Sequence, residues 1–235
     1  LIKDLKNTSN IQFLKADISK YNEVSDLFKL LFKVKYPLYG LINVAGVQLP
    51  IGSFYKNDIN QWKKNLSINL LGTVNMCYEF INQESQLPIQ RKIINFSGGG
   101  ATFPRPNFSA YSVSKIGIVK FTEILAKELE NIDINVISPG ALNTKMLDEV
   151  IDAGENAGEE YAESLKRKIT GGNSFEKTID LCDFLLSSRS NKISGKLISA
   201  IWDNFNNNEF IERLKKDSNF CTLRRIDSKN FESIV

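Results

Sequence analysis

Short apolar runs alternate along this chain with longer segments of helical period. Near-continuous apolar runs are typical of strands buried on both faces, and their alternation with helices is typical of βαβ units around a parallel sheet. The pattern predicts five strands, over residues 11–16, 39–44, 92–97, 134–138 and 196–201. It predicts helices over 23–32, 58–82, 111–130 and 175–186, with Asp58 and Ser109 as N-terminal caps.

Two segments lie outside this alternation. Residues 145–173 are rich in Glu, Ala and Lys, which predicts a helical connection that is too polar for the core and serves as a mobile lid. Residues 204–235 fit a short surface helix and a C-terminal extension. We therefore expect one α/β domain over residues 1–203, with 204–235 as an extension of the same domain.

Composition narrows the class of protein. The 235 residues are 42% hydrophobic and 24% charged, as in ordinary globular proteins. The net charge of +3 is small and the basic residues are dispersed, so no nucleic-acid partner is expected. No apolar run is long enough to span a bilayer and the first residues do not resemble a signal peptide, which predicts a cytoplasmic protein without a membrane partner.

The chain contains no histidine and three cysteines. The absence of histidine excludes a His-based catalytic triad and a His-ligated zinc ion. Cys77, Cys182 and Cys221 are far apart and lack CxxC spacing, which favours reduced thiols over disulfides or a thiolate metal site. No metal is expected, and any catalysis must use Tyr, Lys, Ser, Asp or Glu.

The strongest motif is Tyr111-Ser112-Val113-Ser114-Lys115, which places a phenol and an ammonium four residues apart. Residues at this spacing share one face of a helix, and a neighbouring cation is expected to lower the pKa of the phenol so that it can act as general acid and base. The same spacing occurs on many surface helices. Here, however, the pair follows an apolar strand and the turn Gly98-Gly99-Gly100, at the carboxyl end where α/β enzymes bind their ligands.

A Tyr-x-x-x-Lys helix after such a strand resembles the short-chain dehydrogenase/reductase family, and four further elements follow that family's order. Asn43-Val44-Ala45-Gly46 is similar to the family's Asn-Asn-Ala-Gly turn, with Val in place of the second Asn. Asn69 matches a helix asparagine, and the segment 139–144 matches a Pro-Gly-x-x-x-Thr turn. Asp17 and Ile18 resemble the end of a strand that meets the adenine.

The resemblance implies a Rossmann-like doubly wound parallel sheet with helices on both faces, and hydride transfer between an alcohol or carbonyl substrate and NAD or NADP. The implied catalytic residues are Tyr111, Lys115, Asn69 and Ser97. The implied cofactor-binding residues are Asp17, Ile18, Asn43, Ala45, Gly46, Lys115, Pro139, Gly140, Leu142 and Thr144. Each element also has a purely structural interpretation, as a turn, a cap or a strand end.

Two departures from the family pattern bear on activity. The family's catalytic serine lies thirteen residues before the tyrosine, where this chain has Gly98, so Ser97 or a backbone N–H would have to replace it. The family's first strand, glycine-rich turn and helix, which hold the pyrophosphate, are not found, so the first βαβ unit is missing or truncated. We therefore expect a fragment of a longer product rather than a genuinely short protein. For the function, the alternative to the oxidoreductase is a catalytically degenerate or truncated homologue that acts as a binding or assembly partner.

Three expectations concern partners. The helices 58–82 and 111–130 correspond to those that pair in the family's homodimers and homotetramers, and Phe121, Leu125 and Met76 serve that contact or the core equally well. Phe103, Arg105 and Phe108 are expected to border the substrate. Arg105 suits a carboxylate or phosphate, whereas a carbohydrate or nucleotide sugar is equally compatible.

Overall fold

The computed structural model of this protein describes residues 11–32, 37–83 and 89–226. Within them, four parallel strands form one sheet in the order β1-β2-β3-β4, which confirms the α/β class. The strands are β1 (Gly40–Asn43), β2 (Arg91–Phe96), β3 (Ile132–Ser138) and β4 (Leu197–Ser199). The four strands lie within two residues of the predicted bounds, and β4 ends two residues earlier than predicted.

Helices connect and cover these strands. They are α1 (Tyr21–Phe32), α2 (Ile59–Leu66), α3 (Gly72–Asn82), α4 (Ser109–Glu128), α5 (Lys145–Ala153), α6 (Glu159–Thr170), α7 (Phe175–Leu186) and α8 (Asn208–Lys216). A π-helical turn, Ser67–Leu71, joins α2 to α3, so the predicted helix over 58–82 is one helical stretch with a wider turn inside it. No helix within these described ranges is long and apolar enough to cross a bilayer.

The two predicted helix caps have different outcomes. The Asp58 side chain accepts the backbone N–H groups of Asn60, at 2.6 Å, and Gln61, at 3.4 Å, which confirms it as the cap of α2. The prediction for Ser109 is wrong, because Phe108 occupies the cap position of α4 and Ser109 is its first helical residue. The Ser109 hydroxyl instead accepts a hydrogen bond of 3.0 Å from the Trp62 indole, which ties α4 to α2.

Helices cover both faces of the sheet, as predicted. Neighbouring residues of a strand point to opposite faces, and Ile93 and Ile94 accordingly belong to different core clusters. Ile93 packs with residues of α1 and α3, including Phe28 and Phe80. Ile94 packs with residues of α7 and α8, and this two-sided burial explains why β2 reads as a nearly continuous apolar run.

The first predicted strand, over 11–16, is wrong. Residues 11–17 carry no regular secondary structure, and Ile11, Phe13 and Leu14 are each more than two fifths exposed. An apolar run becomes a strand only when a neighbour accepts its backbone hydrogen bonds, and among the described residues β1 pairs only with β2. The segment is fixed at its end instead, where the Ile18 carbonyl accepts a 2.9 Å hydrogen bond from Asn75 of α3.

The connection over 145–173 is helical, as predicted, and consists of α5, a 3₁₀ turn (Gly154–Ala157) and α6. The expectation that it is too polar for the core is wrong, since Leu147, Val150 and Ala157 are almost fully buried. Helical spacing places these few apolar residues on one face of the segment. Its mobility stays a prediction.

The described part of the C-terminal segment packs on the same sheet. Ile211 and Leu214 of α8 belong to the core cluster of Ile94. The Leu197 backbone N–H of β4 donates to the Cys221 carbonyl at 2.8 Å, which extends the hydrogen bonding of β4. The domain boundaries 1–203 and 204–235 stay a prediction, and both ends of the chain lie outside the described residues.

Candidate active site

Tyr111 lies in the first turn of α4 and is 95% buried beside the glycine turn that follows β2. A Cβ atom built on Gly98 would stand 2.1 Å from the Tyr111 hydroxyl oxygen. No side chain fits at position 98 while Tyr111 keeps this position, because non-bonded heavy atoms do not approach so closely. The tyrosine hydroxyl therefore fills the space in which a serine side chain at position 98 would lie.

Lys115 is on the same helix and is 97% buried. Its ammonium donates a 2.9 Å hydrogen bond to the Phe96 carbonyl at the end of β2, and its Nζ atom lies 5.6 Å from the centroid of the Tyr111 ring. The same nitrogen would be 3.7 Å from a Cβ on Gly46. Burial without a carboxylate partner lowers the pKa of Lys115 to about 8.

Asn69 is fully buried in the π-helical turn, a local geometry that is frequent at functional sites. Its carboxamide oxygen accepts the Val47 N–H at 2.8 Å, and its amide nitrogen lies 2.9 Å from the Val47 carbonyl and 3.0 Å from the Ser114 hydroxyl oxygen. Asn69 thus joins the loop after β1 to the Tyr111 helix. Its carboxamide is engaged by protein groups, and its role in holding a water molecule stays a prediction.

The pKa of Tyr111 differs from expectation. A neighbouring lysine was expected to lower it, whereas burial raises the pKa of this hydroxyl above its ordinary value. Two other charges act on it, since Arg105 lowers the pKa and Glu160 raises it. Because the low polarity around the ring disfavours the phenolate, Tyr111 is held protonated in this structure.

Asn43 and Gly46 enter the site from the carboxyl end of β1. The Asn43 side chain donates to Asn95 of β2 at 2.9 Å, and Asn95 donates to the Thr122 hydroxyl of α4 at 2.9 Å. This buried chain of amides fixes the end of β1 relative to α4. Ala45 is exposed, and a Cβ on Gly46 would stand 3.2 Å from the Asn69 oxygen, so a small residue is needed where the loop passes the site.

The segment 139–144 forms a tight turn after β3, and Gly140 has a φ of +80°. The Pro139 carbonyl accepts the Thr178 hydroxyl at 3.4 Å, and the Leu142 N–H donates to the Gly140 carbonyl at 3.2 Å. Thr144 caps α5 by accepting the Met146 N–H at 3.3 Å. The turn is therefore well ordered by its own contacts, and its cofactor-binding role stays a prediction.

Asp17 and Ile18 are held by α1 and α3. The Asp17 carboxylate accepts the Ser19 N–H at 3.1 Å and the Ser19 hydroxyl at 2.7 Å, which lowers the pKa of Asp17. A Cβ on Gly72 would stand 2.7 Å from the Ile18 side chain, so Ile18 packs directly on the start of α3. Within the described residues these contacts do not connect either residue to Tyr111.

Ser97 is 96% buried, and its N–H donates to the Ile137 carbonyl at 2.8 Å as a continuation of β2. Gly98, not Ser97, is the residue whose Cβ position meets the Tyr111 hydroxyl. The catalytic role of Ser97 stays a prediction.

The residues expected to border the substrate differ in their surroundings, and their role stays a prediction. Phe108 is fully buried and packs with Tyr111, and the Arg105 guanidinium is already bonded through two nitrogens to the Glu160 carboxylate. Glu160 was not found from the sequence, because α6 is far from Arg105 along the chain. Phe103 is 78% exposed.

Two further residues of the site were missed. Asn65 donates its side-chain N–H to the carbonyls of Val47 and Leu49, at 3.0 and 2.8 Å, and lies one helical turn before Asn69. Ser114 stands between Tyr111 and Lys115 in the motif and donates to the Tyr111 carbonyl at 2.7 Å. The four-residue spacing of the two asparagines was the available signal.

The described residues contain no group of three His, Cys, Asp or Glu side chains that could hold a metal ion. They do fit the nicotinamide end of a dinucleotide in one respect. Because Gly46 has no side chain, the loop after β1 passes close to the Lys115 ammonium, which has donated only one of its three N–H groups within the described chain.

Comparison with known proteins identifies the class. The family model for short chain dehydrogenases matches residues 1–155, which is more than half of the chain. The chain therefore belongs to the short chain dehydrogenase family. This agrees with the expectation drawn from the Tyr111 to Lys115 motif and its neighbours.

Two curated relatives illustrate the match. A 3-amino-tetrahydro-pyrrolizinone reductase of Xenorhabdus hominickii is 29% identical over 159 residues, which are 63% of this chain and 52% of the relative. A 3beta-hydroxysteroid dehydrogenase of Eggerthella lenta is 32% identical over 136 residues, which are 56% of this chain and 51% of the relative. The chain spans about half the length of these relatives.

A solved structure shares the fold. A gluconate 5-dehydrogenase from Burkholderia cenocepacia, in complex with NADP and tartrate, is 19% identical with a TM-score of 0.65, and the match covers 78% of this chain and 71% of that chain. At this level of identity the likeness shows the fold alone.

Proposed function

We propose that this chain is the catalytic part of an NAD- or NADP-dependent oxidoreductase that interconverts an alcohol and a carbonyl. The observation that carries the proposal is the juxtaposition of Tyr111 and Lys115, both buried on one helix, beside the glycine turn at the carboxyl end of β2. Open α/β sheets bind their ligands at this edge. Membership of the short chain dehydrogenase family supports the same reaction class.

In this proposal Tyr111 is the general acid and base. It donates its proton to the carbonyl oxygen during reduction and accepts a proton from the alcohol during oxidation. The raised pKa of Tyr111 favours the protonated form, which is the form that reduction requires. The nicotinamide, when bound, supplies or accepts the hydride.

Other residues of the chain bind and orient. Lys115 has donors left for the ribose of the cofactor, and Asn43, Ala45, Gly46 and the segment 139–144 would hold the nicotinamide end. Asp17 and Ile18 would meet the adenine by the resemblance given above. Asn69 would orient the loop after β1, and Ser97 or a backbone N–H of the glycine turn would donate to the substrate oxygen.

Titration of the purified chain with NADH and NADPH, followed by the fluorescence of the reduced nicotinamide, tests cofactor binding. A Tyr111→Phe variant is expected to bind as the parent does and to lose hydride transfer by at least about a hundredfold. Tyr161→Phe is the matched control, because Tyr161 packs in the same cluster and has no role in proton transfer in this proposal. Full activity in Tyr111→Phe would refute the proposal.

The glycine at position 98, where the family has a serine, supports a second candidate function. With the tyrosine hydroxyl filling the place of the expected serine, a degenerate homologue that acts as a binding or assembly partner has a specific observation behind it. Saturable nicotinamide binding and turnover of any alcohol would exclude it. No binding, in this chain or in one extended by its upstream coding sequence, would favour it.

We also propose a homodimer or homotetramer formed through the helical stretch 59–82 and α4. Of the two roles expected for Met76, Phe121 and Leu125, the structure shows the core role, since they pack, partly buried, on the core cluster of Ile93. Their part in a subunit contact stays a prediction. The same helices expose other apolar side chains, namely Leu71, Tyr78, Val113 and Ile124. Light scattering at micromolar concentration tests the proposal, and a monomer would contradict it.

A further inference from the structure

Arg105 lies at the same distance from the Tyr111 ring as Lys115 does. Its guanidinium carbon is 5.6 Å from the ring centroid, which equals the distance of the Lys115 nitrogen. Two cations therefore flank the tyrosine, one from its own helix and one from the loop before it. The motif alone reveals only the lysine.

The glycine turn makes room for Arg105. A Cβ on Gly99 would lie 3.6 Å from the Arg105 side chain, and one on Gly100 would lie 3.1 Å from its Cβ atom. The guanidinium also stacks on the Phe108 ring, with 3.7 Å between the guanidinium carbon and the ring centroid. Arg105 is thus fixed against the turn that touches the Tyr111 hydroxyl, with its side chain 15% exposed.

The charge of Arg105 is paired with a residue of a different segment. Glu160, in the first turn of α6, bonds the guanidinium through both carboxylate oxygens. Arginine keeps its charge at any ordinary pH, whereas the pKa of Lys115 is lowered to about 8. The Arg105–Glu160 ion pair is a second electrostatic feature beside Tyr111.

We propose that Arg105 and Glu160 are positioning residues that set the proton affinity of Tyr111, with Glu160 offsetting the cation that would otherwise favour the phenolate. This inference deepens the proposed function, because it rests on Tyr111 as the proton donor. Glu160 thereby raises the pKa of the donor, in the same direction as the larger effect of burial. A substrate anion that replaced Glu160 as the ion-pair partner of Arg105 would supply the same negative charge beside Tyr111.

The apolar neighbours of Tyr111 come from several elements. The loop after β1, α5 and the 3₁₀ turn present Ile51, Met146, Val150 and Ala157 to its cluster, and α6 adds Tyr161. The charged groups placed beside Tyr111 by distance or by their effect on its pKa are Lys115, Arg105 and Glu160. Tyr161 is a further titratable residue of its cluster. The direction of the effect follows from their charges: Arg105 lowers the pKa of Tyr111 and Glu160 raises it.

The test measures the pKa of Tyr111 directly in the chain without cofactor or substrate. Tyrosine labelled with 13C at Cζ is titrated by NMR, and Tyr111→Phe identifies the signal among the seven tyrosines. Glu160→Gln keeps the shape and removes the charge, and it is expected to lower the pKa of Tyr111 by about one unit. Adding Arg105→Gln to that variant is expected to raise it again by a similar shift.

Asp148→Asn is the matched control. Asp148 forms an ion pair with Lys168 that joins α5 to α6 in the same segment, and it is not among the charges that shift the pKa of Tyr111. This variant should leave the Tyr111 titration unchanged. Unfolding at high pH would move all seven tyrosine signals together and is thereby recognised.

Two results would overturn the inference. One is a Tyr111 signal in Glu160→Gln that titrates no earlier than in the parent, including the case in which both stay protonated until unfolding. The other is an equal shift in Asp148→Asn. Since no hydride transfer enters the measurement, a failure of the proposed function would leave its outcome unaffected.

Discussion

Two buried lysines lie at opposite ends of the sheet and differ in the acceptors that surround their ammonium groups. Lys92, near the start of β2, is 99% buried and donates to the Asp133 carboxylate at 2.7 Å, the Asn191 side-chain oxygen at 2.8 Å and the Ser190 hydroxyl at 3.1 Å. Lys115, at the carboxyl end, donates to a single backbone carbonyl among the described residues. Burial alone therefore does not indicate function.

The difference lies in how each ammonium is compensated. Lys92 has a carboxylate and neutral acceptors around it, as a buried charge requires. Among the residues that the structure describes, Lys115 has no carboxylate partner, and its lowered pKa reflects the cost of burying the ammonium. A buried ammonium with unused N–H donors beside a glycine loop can bind a ligand. An ammonium whose donors are all bonded to protein groups stabilises the fold instead.

The largest expected effect on the free energy of unfolding is at Lys92, near the start of β2. Lys92→Met would leave the buried Asp133 carboxylate without its cation, which is expected to lower the free energy of unfolding by about 3–5 kcal/mol. Urea denaturation at pH 7 measures it. A double variant, Lys92→Met with Asp133→Leu, should recover most of the loss, and equal losses in both variants would show that packing, not the charge, is responsible.

The next effect concerns pH. The pKa of Lys115 is lowered from 10.5 to about 8 in the folded chain, so between these values the unfolded chain binds more protons. The Lys115 contribution to the free energy of unfolding therefore rises as the pH increases through this window, by at most about 3 kcal/mol, and is constant below it. Unfolding of the parent and of Lys115→Met at several pH values isolates the contribution. A constant difference between the two would contradict it.

A smaller effect is expected at Gly98. Gly98→Ala places a methyl group against the Tyr111 hydroxyl and is expected to cost about 1–3 kcal/mol. The same change in a Tyr111→Phe background should cost less, because the closest atom is then absent. A double-mutant cycle by urea denaturation measures the difference, and perfect additivity would show that the ring and not the hydroxyl limits the space.

The smallest effect is at a neutral acceptor of Lys92. Ser190→Ala removes one hydrogen bond to the ammonium but leaves Asp133 and Asn191 in place. A loss of about 1 kcal/mol is expected in the same denaturation assay. A loss as large as that of Lys92→Met would mean that the ion pair depends on the hydroxyl.

The sequence was sufficient for the elements that are encoded locally. The apolar runs at β1, β2 and β3, the helix over 175–186 and the Asp58 cap depend on periodicity and on neighbouring residues, and the structure has them within one or two residues. The strand predicted over 11–16 did not form, because its formation depends on more than the local sequence. Its composition suits a strand, but strand formation depends on a pairing partner, which composition does not reveal.

The site divides in the same way. The spacing of Tyr111 and Lys115, and their place after a strand and a glycine turn, can be read in the sequence. The pairing of Arg105 with Glu160, the burial that sets the pKa of Lys115 and Tyr111, and the contact of Gly98 with the tyrosine hydroxyl cannot. Each of these depends on residues that are distant in the chain or on the exclusion of water.

The sequence by itself determined the α/β class, the family and the helix that carries Tyr111 and Lys115, because periodicity and short motifs are local properties. Only the tertiary structure decided which charges surround Tyr111, which lysine stabilises the fold and whether the apolar run over 11–16 forms a strand. Burial and long-range pairing arise when segments that are far apart pack together, and the free energy of a charge depends on that packing more than on its neighbours in the chain.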